Sequence, residues 1–453
     1  MGKRVVVVGG DAAGMSAASQ IRRANPALEV LVLEKGPFAS YGACGMPYYI
    51  AGEIAAAEEL LALKPDQFAA RGIEVRLEHE VAEVRPGART VEVMGNGGRM
   101  TERYDYLVLA TGGEVITPDW EGLELESVFF LRGLHDGIAL RHFVDERQPE
   151  QAVIVGTGLI GVEMAEALLK RGVQVTMIGR SQRLLSTFEP EFAQEVIDEL
   201  TERGLRLVSG CQVERLEGRD GRVSTVVTDQ GAFPADLVLP AIGIRPAAEL
   251  AKRAGIGLGR SGGIAVSERM KTDAPGVFAA GDCAEVTHVV TGEKVFSPLA
   301  LTANRSGRVA GDNLAADSLG EFSVQRFRGT AGTLVTKVFD LTVAQTGLSP
   351  LEAERSGFDA AIFERRSRSR AEYYPGGSSI ATRIVVDRHT RRLLGAQMIG
   401  REGVAGRIDV FATALFNRMT VDDIYNLELA YAPPYGPVYD PVIDICGKAG
   451  LEL

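Results

Sequence analysis

Cysteine and long apolar runs are scarce in this sequence. Four cysteines, Cys44, Cys211, Cys283 and Cys446, are spread over 453 residues. Their spacing matches neither a disulfide framework nor a zinc site, so a cysteine that matters here is expected to act as a single thiol. No apolar run is long enough to span a membrane, and the stretch before Gly9 is too short for a signal peptide. We therefore expect a cytoplasmic protein that does not bind membranes.

Positive charge is also in deficit. The chain has 49 lysines and arginines against 60 aspartates and glutamates, which gives a formal net charge of −11. A large basic face is therefore not expected, and neither is nucleic acid as a partner. Hydrophobic residues make up 45% of the chain and charged residues 24%, as in globular proteins, and the length predicts about three domains. The 53 glycines are an excess that indicates tight turns or close approach of backbone to a ligand.

The start of the chain has the pattern of a strand, a glycine turn, a helix and a second strand. The strands are predicted at Arg4–Val8 and Glu29–Leu33, with a helix from about Gly14 to Arg23. The same pattern recurs with strands at Ala152–Val155 and Gln174–Ile178. A helix from about Gly161 to Arg171 lies between those strands, and two such units predict two bound nucleotides.

The first glycine turn reads Gly9-Gly10-Asp11-Ala12-Ala13-Gly14. It keeps the outer glycines of a G-x-G-x-x-G fingerprint and places Asp11 at the middle position. Glu34, twenty residues past Gly14, is placed to accept hydrogen bonds from a ribose diol. A tight strand-to-helix turn without a ligand is the alternative interpretation.

The second turn, Gly156-Thr157-Gly158-Leu159-Ile160-Gly161, is a complete fingerprint. Its second strand is followed by Gly179 and Arg180 instead of an acid, with Arg183 close behind. A missing carboxylate and a nearby guanidinium favour the additional 2′-phosphate of NADPH, with NADH as the alternative. The other interpretation is that both arginines only face solvent.

A third pattern is the apolar segment before Gly281-Asp282, which delivers an acid to a glycine turn. Two further apolar strands end at Gly112 and Gly243, and each is expected to close its own sheet. From about Phe327 the pattern changes to alternating strands such as Thr382–Val386 and one helix from about Val404 to Asn417. In this order the patterns resemble the pyridine nucleotide-disulfide oxidoreductases over the whole chain.

The resemblance implies an α/β protein with two Rossmann-like nucleotide-binding domains and a C-terminal α+β dimerisation domain. The implied FAD domain is discontinuous, 1–115 and 245–325, with the NAD(P)H domain at 116–244 and the dimerisation domain at 326–453. The implied FAD contacts are Gly9, Asp11, Ala12, Ala13, Gly14, Glu34, Lys35, Ala110, Thr111, Gly112, Gly281, Asp282, Pro298, Leu299 and Ala300. The implied NAD(P)H contacts are Gly156, Gly158, Leu159, Ile160, Gly161, Glu163, Gly179, Arg180, Arg183 and Gly243.

Cys44 is the candidate redox residue. Relatives of glutathione reductase carry two cysteines separated by four residues, but Ala39 and Tyr49 stand five positions on either side of Cys44. The pattern is similar to the single-cysteine branch that contains coenzyme A-disulfide reductase, NADH oxidase and NADH peroxidase. Pro47 is placed to open a helix, whose N-terminus would lower the pKa of the thiol. An inert buried cysteine is the alternative.

Position 12 discriminates within that branch. Peroxidase and oxidase members carry a histidine there, whereas this chain has Ala12. The resemblance therefore favours a disulfide over peroxide or oxygen as the oxidant.

Two tyrosines resemble residues that reach the cysteine of the partner subunit in coenzyme A-disulfide reductases. They are Tyr373 and Tyr431, and a phenol near a thiolate can protonate a leaving thiol. This implies a homodimer whose active site is shared between subunits. Simple packing of aromatic residues at a dimer interface is the alternative.

The resemblance also implies substrate contacts at Ser16, Gln20, Arg23, Ser40, Asn304 and Arg368. Arg366, Arg368 and Arg370 alternate and would share one strand face, either against phosphates of coenzyme A or against solvent. Ala43 and Tyr439 stand where the resembled reductases usually have asparagine and lysine. These departures extend the substrate prediction from coenzyme A disulfide to related disulfides, persulfides and polysulfides.

We therefore expect a flavoenzyme in which NADPH reduces FAD, and Cys44 attacks a small disulfide. An NAD(P)H oxidase or peroxidase is the nearest alternative. A non-catalytic flavin-binding electron carrier is the alternative from another class.

Overall fold

The computed structural model describes residues 2–323 and 325–453; Met1 and Val324, within the predicted domain ranges, lie outside it. The first elements in chain order are β1 (Arg4–Val8), α1 (Ala12–Ala24), β2 (Glu29–Leu33), α2 (Met46–Ala51), α3 (Pro65–Ala69), β3 (Ile73–Arg76), β4 (Glu80–Arg85), β5 (Thr90–Gly95), β6 (Gly98–Arg103), β7 (Tyr106–Leu109) and β8 (Gly113–Val115). Next come α4 (Leu134–Arg147), β9 (Gln151–Val155), α5 (Leu159–Lys170), β10 (Gln174–Gly179), α6 (Pro190–Glu202), β11 (Arg206–Ser209), β12 (Val213–Arg219), β13 (Arg222–Thr228), β14 (Gly231–Pro234), β15 (Leu237–Pro240) and β16 (Ile244–Pro246).

The remaining elements complete the first sheet and build a third region. They are α7 (Glu249–Arg253), β17 (Val277–Ala279), β18 (Val286–Thr287), β19 (Lys294–Val295), α8 (Ala300–Leu319), β20 (Leu334–Val338), β21 (Leu341–Gly347), α9 (Pro350–Arg355), β22 (Ala360–Arg368), β23 (Ser379–Asp387), β24 (Leu393–Gly400), α10 (Val404–Phe416), α11 (Val421–Tyr425) and α12 (Pro441–Glu452). The strands and helices that the sequence predicts are present, with most ends differing by one or two residues and the start of β23 by three.

The first sheet is parallel and has the strand order β17-β7-β1-β2-β3. Its central strand β1 is fully buried at Val5, Val6 and Val7, which explains why its sequence is apolar at successive positions and does not alternate. Strand β7 lies between β17 and β1, so the expectation that it closes the sheet is wrong. A chain segment 170 residues further on supplies the edge strand β17.

The second sheet repeats this design with the order β11-β10-β9-β15. Strand β15 is at its edge, as predicted. Each parallel sheet is accompanied by a small antiparallel sheet, β4-β5-β6 in the first unit and β12-β13-β14 in the second.

The chain passes between the two units at one place. Strand β8 leaves the first unit and β16 returns to it, and the two pair antiparallel with Val115 opposite Ile244 and Gly113 opposite Pro246. The two points at which the chain passes between the units are therefore joined by one short antiparallel ladder.

The third region is a five-stranded antiparallel sheet, β20-β21-β24-β23-β22, packed against α10 and α12. Its other face contacts the second unit through ion pairs. Arg401 bonds Glu199 at 2.6 Å and Arg383 bonds Glu189 at 2.9 Å. Acidic side chains of the second unit thus meet basic side chains of the third.

Close backbone packing explains the outer glycines of both fingerprints. A Cβ at Gly14 would lie 1.9 Å from the carbonyl oxygen of Gly9, and a Cβ at Gly161 would lie 2.3 Å from that of Gly156. No side chain fits at either position, because the helix begins directly against the end of the preceding strand.

Among the helices of the described ranges, none combines the length and the apolar character needed to cross a membrane.

Candidate active site

The loop after β2 carries the candidate thiol. Cys44 lies in a single 3-10 turn, Ala43–Gly45, which leads directly into α2. Pro47 is within the first two residues of that helix, as the sequence predicts. The sulfur is therefore held at the start of a helix on a short, constrained segment.

Two hydrogen bonds donated by backbone amides attach this loop to the first glycine turn, one to a carbonyl oxygen and one to a side chain. The amide of Ser40 donates to the carbonyl oxygen of Gly10 at 2.8 Å, and the amide of Tyr41 lies 3.4 Å from Oδ1 of Asp11. The two bonds hold the segment that leads to Cys44 beside the turn that is predicted to bind FAD.

Cys44 is the accessible thiol of the chain. It is exposed, whereas Cys211, Cys283 and Cys446 are at most 1% exposed. All four are free thiols. No second sulfur is therefore available at the surface for an intramolecular redox pair.

The predicted lowering of the Cys44 pKa is wrong for the polypeptide by itself. The protein around the sulfur removes solvent and raises the pKa of the thiol, and the carboxylates of Glu163, Asp11 and Asp282 raise it further. The α2 helix has only six residues, so its dipole is weak. Burial and the three neighbouring acids therefore raise the pKa of the thiol by more than one short helix lowers it.

Acidic side chains at the first turn fit the ribose and ribitol of FAD. The carboxylate of Glu34 accepts hydrogen bonds from the amides of Gly10 at 2.6 Å and Gly36 at 2.7 Å, which fixes it at the end of β2. The side chain of Asp282 is only 17% exposed, yet it accepts no hydrogen bond from any described residue. Such a carboxylate is expected to accept hydrogen bonds from ligand hydroxyls. The residues present therefore fit the cofactor.

The other predicted FAD contacts meet at the same edge of the first sheet, where parallel strands end and helices begin. They are Ala12, Ala13 and Gly14 at the start of α1, Lys35 after β2, Ala110, Thr111 and Gly112 after β7, Gly281 after β17, and Pro298, Leu299 and Ala300 at the start of α8. Helix N-termini at this edge offer free amides to phosphate groups. The structure thus brings the predicted set together.

Asp11 occupies the middle position of the first turn. Burial raises its pKa to about 6, although the amide of Tyr41 and the guanidinium of Arg132 act in the opposite direction. A negative charge is therefore disfavoured where a fingerprint normally has glycine.

The second turn lies at the carboxyl end of β9. Gly158 caps α5, whose first turn contains Leu159, Ile160 and Gly161. A Cβ at Gly158 would meet no atom within 4 Å, so the protein itself leaves this position open. Gly156 and Gly243 also lie at this edge, after β9 and β15.

Gly179 ends β10, and Arg180 and Arg183 follow it. Both arginines are exposed, and neither forms an ion pair with a described residue. A Cβ at Gly179 would lie 2.4 Å from Cγ2 of Thr157, so a larger residue does not fit there without movement. The end of this strand therefore presents two guanidinium groups and no acid.

Glu163 lies on α5, just beyond the second turn. Its Oε1 accepts a hydrogen bond from Oγ1 of Thr336 at 2.9 Å, and burial raises its pKa. Its negative charge is one cause of the raised pKa of the Cys44 thiol, and Glu163 lines a small cavity with Pro47 and Tyr48 of the helix that follows Cys44.

Tyr373 and Tyr431 meet in the third region. Their phenol oxygens are 2.9 Å apart, both side chains are exposed, and this hydrogen bond raises the pKa of Tyr431. Within the described chain neither phenol is bonded to Cys44. The structure thus pairs the two tyrosines with each other and leaves them facing outward.

Four predicted substrate contacts lie along the boundary between α1 and α8. Oγ of Ser16 donates to Oδ1 of Asn304 at 2.7 Å, and Nε2 of Gln20 donates to Asp312 at 2.5 Å. Arg23 donates in turn to Gln20 at 2.9 Å. They form two separate hydrogen-bonded groups, one of Ser16 with Asn304 and one of Gln20 with Asp312 and Arg23, while Ser40 lies in the loop that leads to Cys44.

Arg368 is the freest of the three alternating arginines. It donates to the carbonyl oxygen of Gly377 at 3.2 Å, whereas Arg366 pairs with Glu195 and Arg370 with Glu402. Two of the three charges are therefore neutralised within the chain.

Sequence reasoning missed two groups at the site. Arg132 donates to the carbonyl oxygen of Gly113 at 2.7 Å and lies 3.6 Å from Asp282, but no motif surrounds it. Thr336 and Lys337 reach α5 from β20, and only the fold brings them there. Neither group leaves a signal in the local sequence.

The fold and the site define an oxidoreductase class: two dinucleotide-binding units, one accessible thiol beside the glycine turn of the first, and a third α+β region. Comparison with known families agrees. The profile described as pyridine nucleotide-disulphide oxidoreductase matches residues 3–307, and the profile of the dimerisation domain of that family matches residues 334–440. The chain belongs to the pyridine nucleotide-disulphide oxidoreductase family.

Three relatives illustrate the similarity. The chain is 42% identical over 443 residues to an NAD(P)H sulfur oxidoreductase (CoA-dependent) of Pyrococcus furiosus, covering 97% of this chain and 98% of that protein. It is 31% identical over 454 residues to a coenzyme A disulfide reductase of Staphylococcus aureus, covering 98% and 99%. Its fold matches an NAD-dependent persulfide reductase from A. fulgidus with a TM-score of 0.94 and 37% identity, covering 99% of this chain and 83% of that one.

These findings confirm the predicted family, the α/β fold class and the oxidoreductase assignment. Membership implies FAD and NAD(P)H as cofactors, and the dimerisation domain indicates a homodimer.

Proposed function

We propose that this protein is a homodimeric NADPH-dependent flavoenzyme that reduces a small disulfide or persulfide of the coenzyme A class with Cys44 as its redox thiol. The observation that carries the proposal is the single accessible sulfur, attached by the Ser40 and Tyr41 amides to the first nucleotide turn. The three other thiols are buried, which favours attack on an external disulfide over an internal redox pair.

Each part of the chain has a role in this proposal. Cys44 attacks one sulfur of the substrate, the S–S bond breaks, the first thiol leaves, and a mixed disulfide remains on Cys44. Bound FAD supplies the two-electron relay from NAD(P)H that reduces this mixed disulfide. Glu34 and Asp282 would hold its ribose and ribitol, and the remaining FAD and NAD(P)H candidates named above would bind the phosphates and rings.

The positions of the predicted substrate contacts support their proposed role. Ser16, Gln20, Arg23 and Asn304 line the α1–α8 boundary, and Ser40 precedes the thiol. They and Arg368 are proposed to contact the substrate. Relatives named for coenzyme A, sulfur and persulfide support this class, whereas Ala12 in place of a histidine disfavours peroxide and oxygen.

The NADPH preference is supported by Arg180 and Arg183. Both guanidinium groups are exposed and free of ion pairs within the described chain, and Gly179 leaves no carboxylate to repel a 2′-phosphate.

A shared active site is supported by the exposed Tyr373–Tyr431 pair, which is available to a partner's thiol. We keep the predicted domain division at 115/116, 244/245 and 325/326, which is supported by the β8–β16 ladder at the crossing. The four free thiols favour a reducing compartment such as the cytoplasm.

The decisive variant is Cys44→Ser. We expect it to retain FAD and to lose at least about a thousandfold of its NADPH-dependent turnover of coenzyme A disulfide under anaerobic conditions, because the attacking sulfur is gone. Cys211→Ala is the matched control, since it removes a thiol that is buried elsewhere. Substantial disulfide turnover by the serine variant would refute the assignment.

Two further measurements separate the alternatives. Oxygen uptake with NADPH alone, as fast as the disulfide-dependent rate, would identify an oxidase. Negligible turnover with every disulfide and persulfide, despite a reducible flavin, would identify an electron carrier. Mass spectrometry of the untreated protein is expected to find a coenzyme A adduct on Cys44.

A further inference from the structure

Two acids on the same face of α5 have different environments. Glu166 is 5% exposed and forms bonds with Nζ of Lys170 at 2.6 Å, Nζ of Lys337 at 3.1 Å and the amide of Phe339 at 3.0 Å. Its charge is thus neutralised by two lysines. Glu163, three residues earlier, has no cationic partner among the described residues.

Glu163 is held by one neutral donor from another part of the fold. Thr336 is 5% exposed on β20 of the third region, and its Oγ1 donates to Oε1 of Glu163 at 2.9 Å. The next residue, Lys337, bonds Glu166 and so fixes the register of β20 on α5. A hydroxyl that is almost fully buried and directed at a carboxylate favours the ionised form of that carboxylate.

The position of Glu163 places it between the second and first units. It lines a small cavity together with Pro47 and Tyr48 of α2, the helix that follows Cys44. Its negative charge raises the pKa of the Cys44 thiol, as do those of Asp11 and Asp282. Among these three acids, only Glu163 is held by a residue of the third region.

We propose that Thr336 is a positioning residue that holds Glu163 ionised beside α2, the helix that follows Cys44, so that the third region of the fold controls the reactivity of the thiol in the first. This rests on the proposed function only in taking Cys44 as the redox residue. Loss of the Thr336 hydroxyl would remove its hydrogen bond to Glu163 and disfavour the ionised form of that acid. The effect of Glu163 on the pKa of the Cys44 thiol would then be smaller.

Other charged and titratable groups face the two residues, and no variant of the test replaces them. Glu163 is faced by Glu166 on its own helix, by Lys337 on β20, by Tyr48 on α2 and by Glu53 just after α2. The phenol pKa of Tyr48 is raised by burial and by Glu163, so it is expected to fall in Glu163→Gln. Cys44 is faced by Asp11 and Asp282 from the first unit, which are the same in every variant.

The test is the pH profile of Cys44 alkylation by iodoacetamide in reduced holoenzyme, with the site of labelling verified by mass spectrometry. In this reaction the thiolate forms a bond to the methylene carbon, iodide leaves, and the thiol proton goes to solvent. The readout requires no turnover. A failure here is therefore distinguishable from a failure of the Cys44→Ser experiment.

We expect Glu163→Gln to lower the midpoint of the alkylation profile by about half a unit to one unit, because it removes a neighbouring negative charge. Thr336→Val should lower it by a smaller amount in the same direction, and Thr336→Ser should restore the wild-type profile. Thr346→Val is the matched control, since it removes an equally buried hydroxyl on β21 that bonds Thr333 and no acid.

The double variant decides whether Thr336 acts through Glu163. Thr336→Val should shift the profile in wild-type enzyme and leave it unchanged in the Glu163→Gln background, because the two residues form one unit. Equal shifts in both backgrounds, or a shift in Thr346→Val as large as in Thr336→Val, would show a merely structural effect and overturn the proposal. Should Thr336→Val fail to fold, an unmoved midpoint in Glu163→Gln alone would also overturn it.

Discussion

The two glycine turns, Gly9–Gly14 and Gly156–Gly161, can be compared position by position. Their outer glycines share one steric reason, since a Cβ at the last glycine of either turn would collide with the carbonyl oxygen of the first. In both turns the helix starts three residues after the first glycine, at Ala12 and at Leu159. The backbone of the turn is therefore the same structure used twice.

The turns differ at the middle position and at the end of the next strand. The first has Asp11 and Glu34, whereas the second has Gly158 and, after Gly179, Arg180. Asp11 is largely buried, while Gly158 faces open space. The comparison teaches that the outer glycines build the turn, and that the middle residue and the strand end determine which ligand it accepts.

Alanine at the last glycine of each turn is expected to have the largest effect. Gly14→Ala places a Cβ 1.9 Å from a backbone oxygen, at a cost of about 3 kcal/mol or more, so this variant should lose FAD or fail to fold. Gly161→Ala should keep FAD and lose rapid flavin reduction by NADPH. The measurements are the flavin content, the unfolding temperature and stopped-flow reduction. Equal loss of FAD in both variants would contradict separate roles for the two turns.

Asp11→Asn should change how stability depends on pH. The pKa of Asp11 is raised by burial to about 6 from an unfolded value near 3.8, so the folded state prefers the neutral acid. Its contribution to stability is complete below pH 3.8 and is lost as the pH rises through 6. Relative to wild type, the asparagine variant should gain about 3 kcal/mol between pH 4 and pH 8.

Thermal unfolding of Asp11→Asn and wild type with excess FAD, followed across this pH range, checks the prediction. Glu29→Gln, at an exposed acid of the same unit, is the control and should show no such trend. A constant difference between Asp11→Asn and wild type at all pH values would show that Asp11 is ionised in the fold.

Arg180→Ala should discriminate between the two pyridine nucleotides. Losing a charge-assisted bond to the 2′-phosphate is expected to raise KM for NADPH about 30-fold and to leave KM for NADH nearly unchanged. Steady-state kinetics with both nucleotides provides the measurement, and Arg206→Ala on β11 of the same sheet is the control. A parallel rise in both KM values would argue for a structural role of Arg180.

Gly158→Ala is expected to have the smallest effect. A Cβ at Gly158 meets no protein atom within 4 Å, so the unfolding temperature should stay unchanged. KM for NADPH should rise roughly fivefold, because the second glycine of a fingerprint permits close approach of the pyrophosphate. A fall in thermal stability without a change in KM would contradict this interpretation.

Local patterns predicted much of the fold and of the site. The apolar run at Val5–Val8 predicted a buried parallel strand, and the glycine spacing predicted the turns, because both depend on backbone sterics within a few residues. The role of the lone Cys44 and the contact of Tyr373 and Tyr431 with a partner's thiol depended on motif resemblance, whereas the helix start at Pro47 followed from the preference of proline for the first helical turn. The structure confirms the helix start. The partner contact of the two tyrosines stays a prediction, because within one chain their phenols bond each other.

Contacts between distant segments were beyond the sequence. Thr336 meets Glu163 across 173 positions of chain, and Arg132 approaches Asp282 without any surrounding motif. The direction of the Cys44 pKa was also missed, since a helix N-terminus is a local feature whereas Glu163 and Asp282 arrive from other units. The charges near a site depend on tertiary contacts. The spacing of residues in the sequence does not determine those contacts.

The antiparallel pairing of β8 with β16 has a consequence for how such a protein can be rebuilt. Because Val115 lies opposite Ile244, the main chain departs from the first core and comes back to it at neighbouring points. The intervening 128 residues are therefore an insertion whose two ends lie side by side. An exchange of this insertion at the β8–β16 ladder is therefore expected to replace the unit that carries the second glycine turn, while the first sheet keeps its chain path.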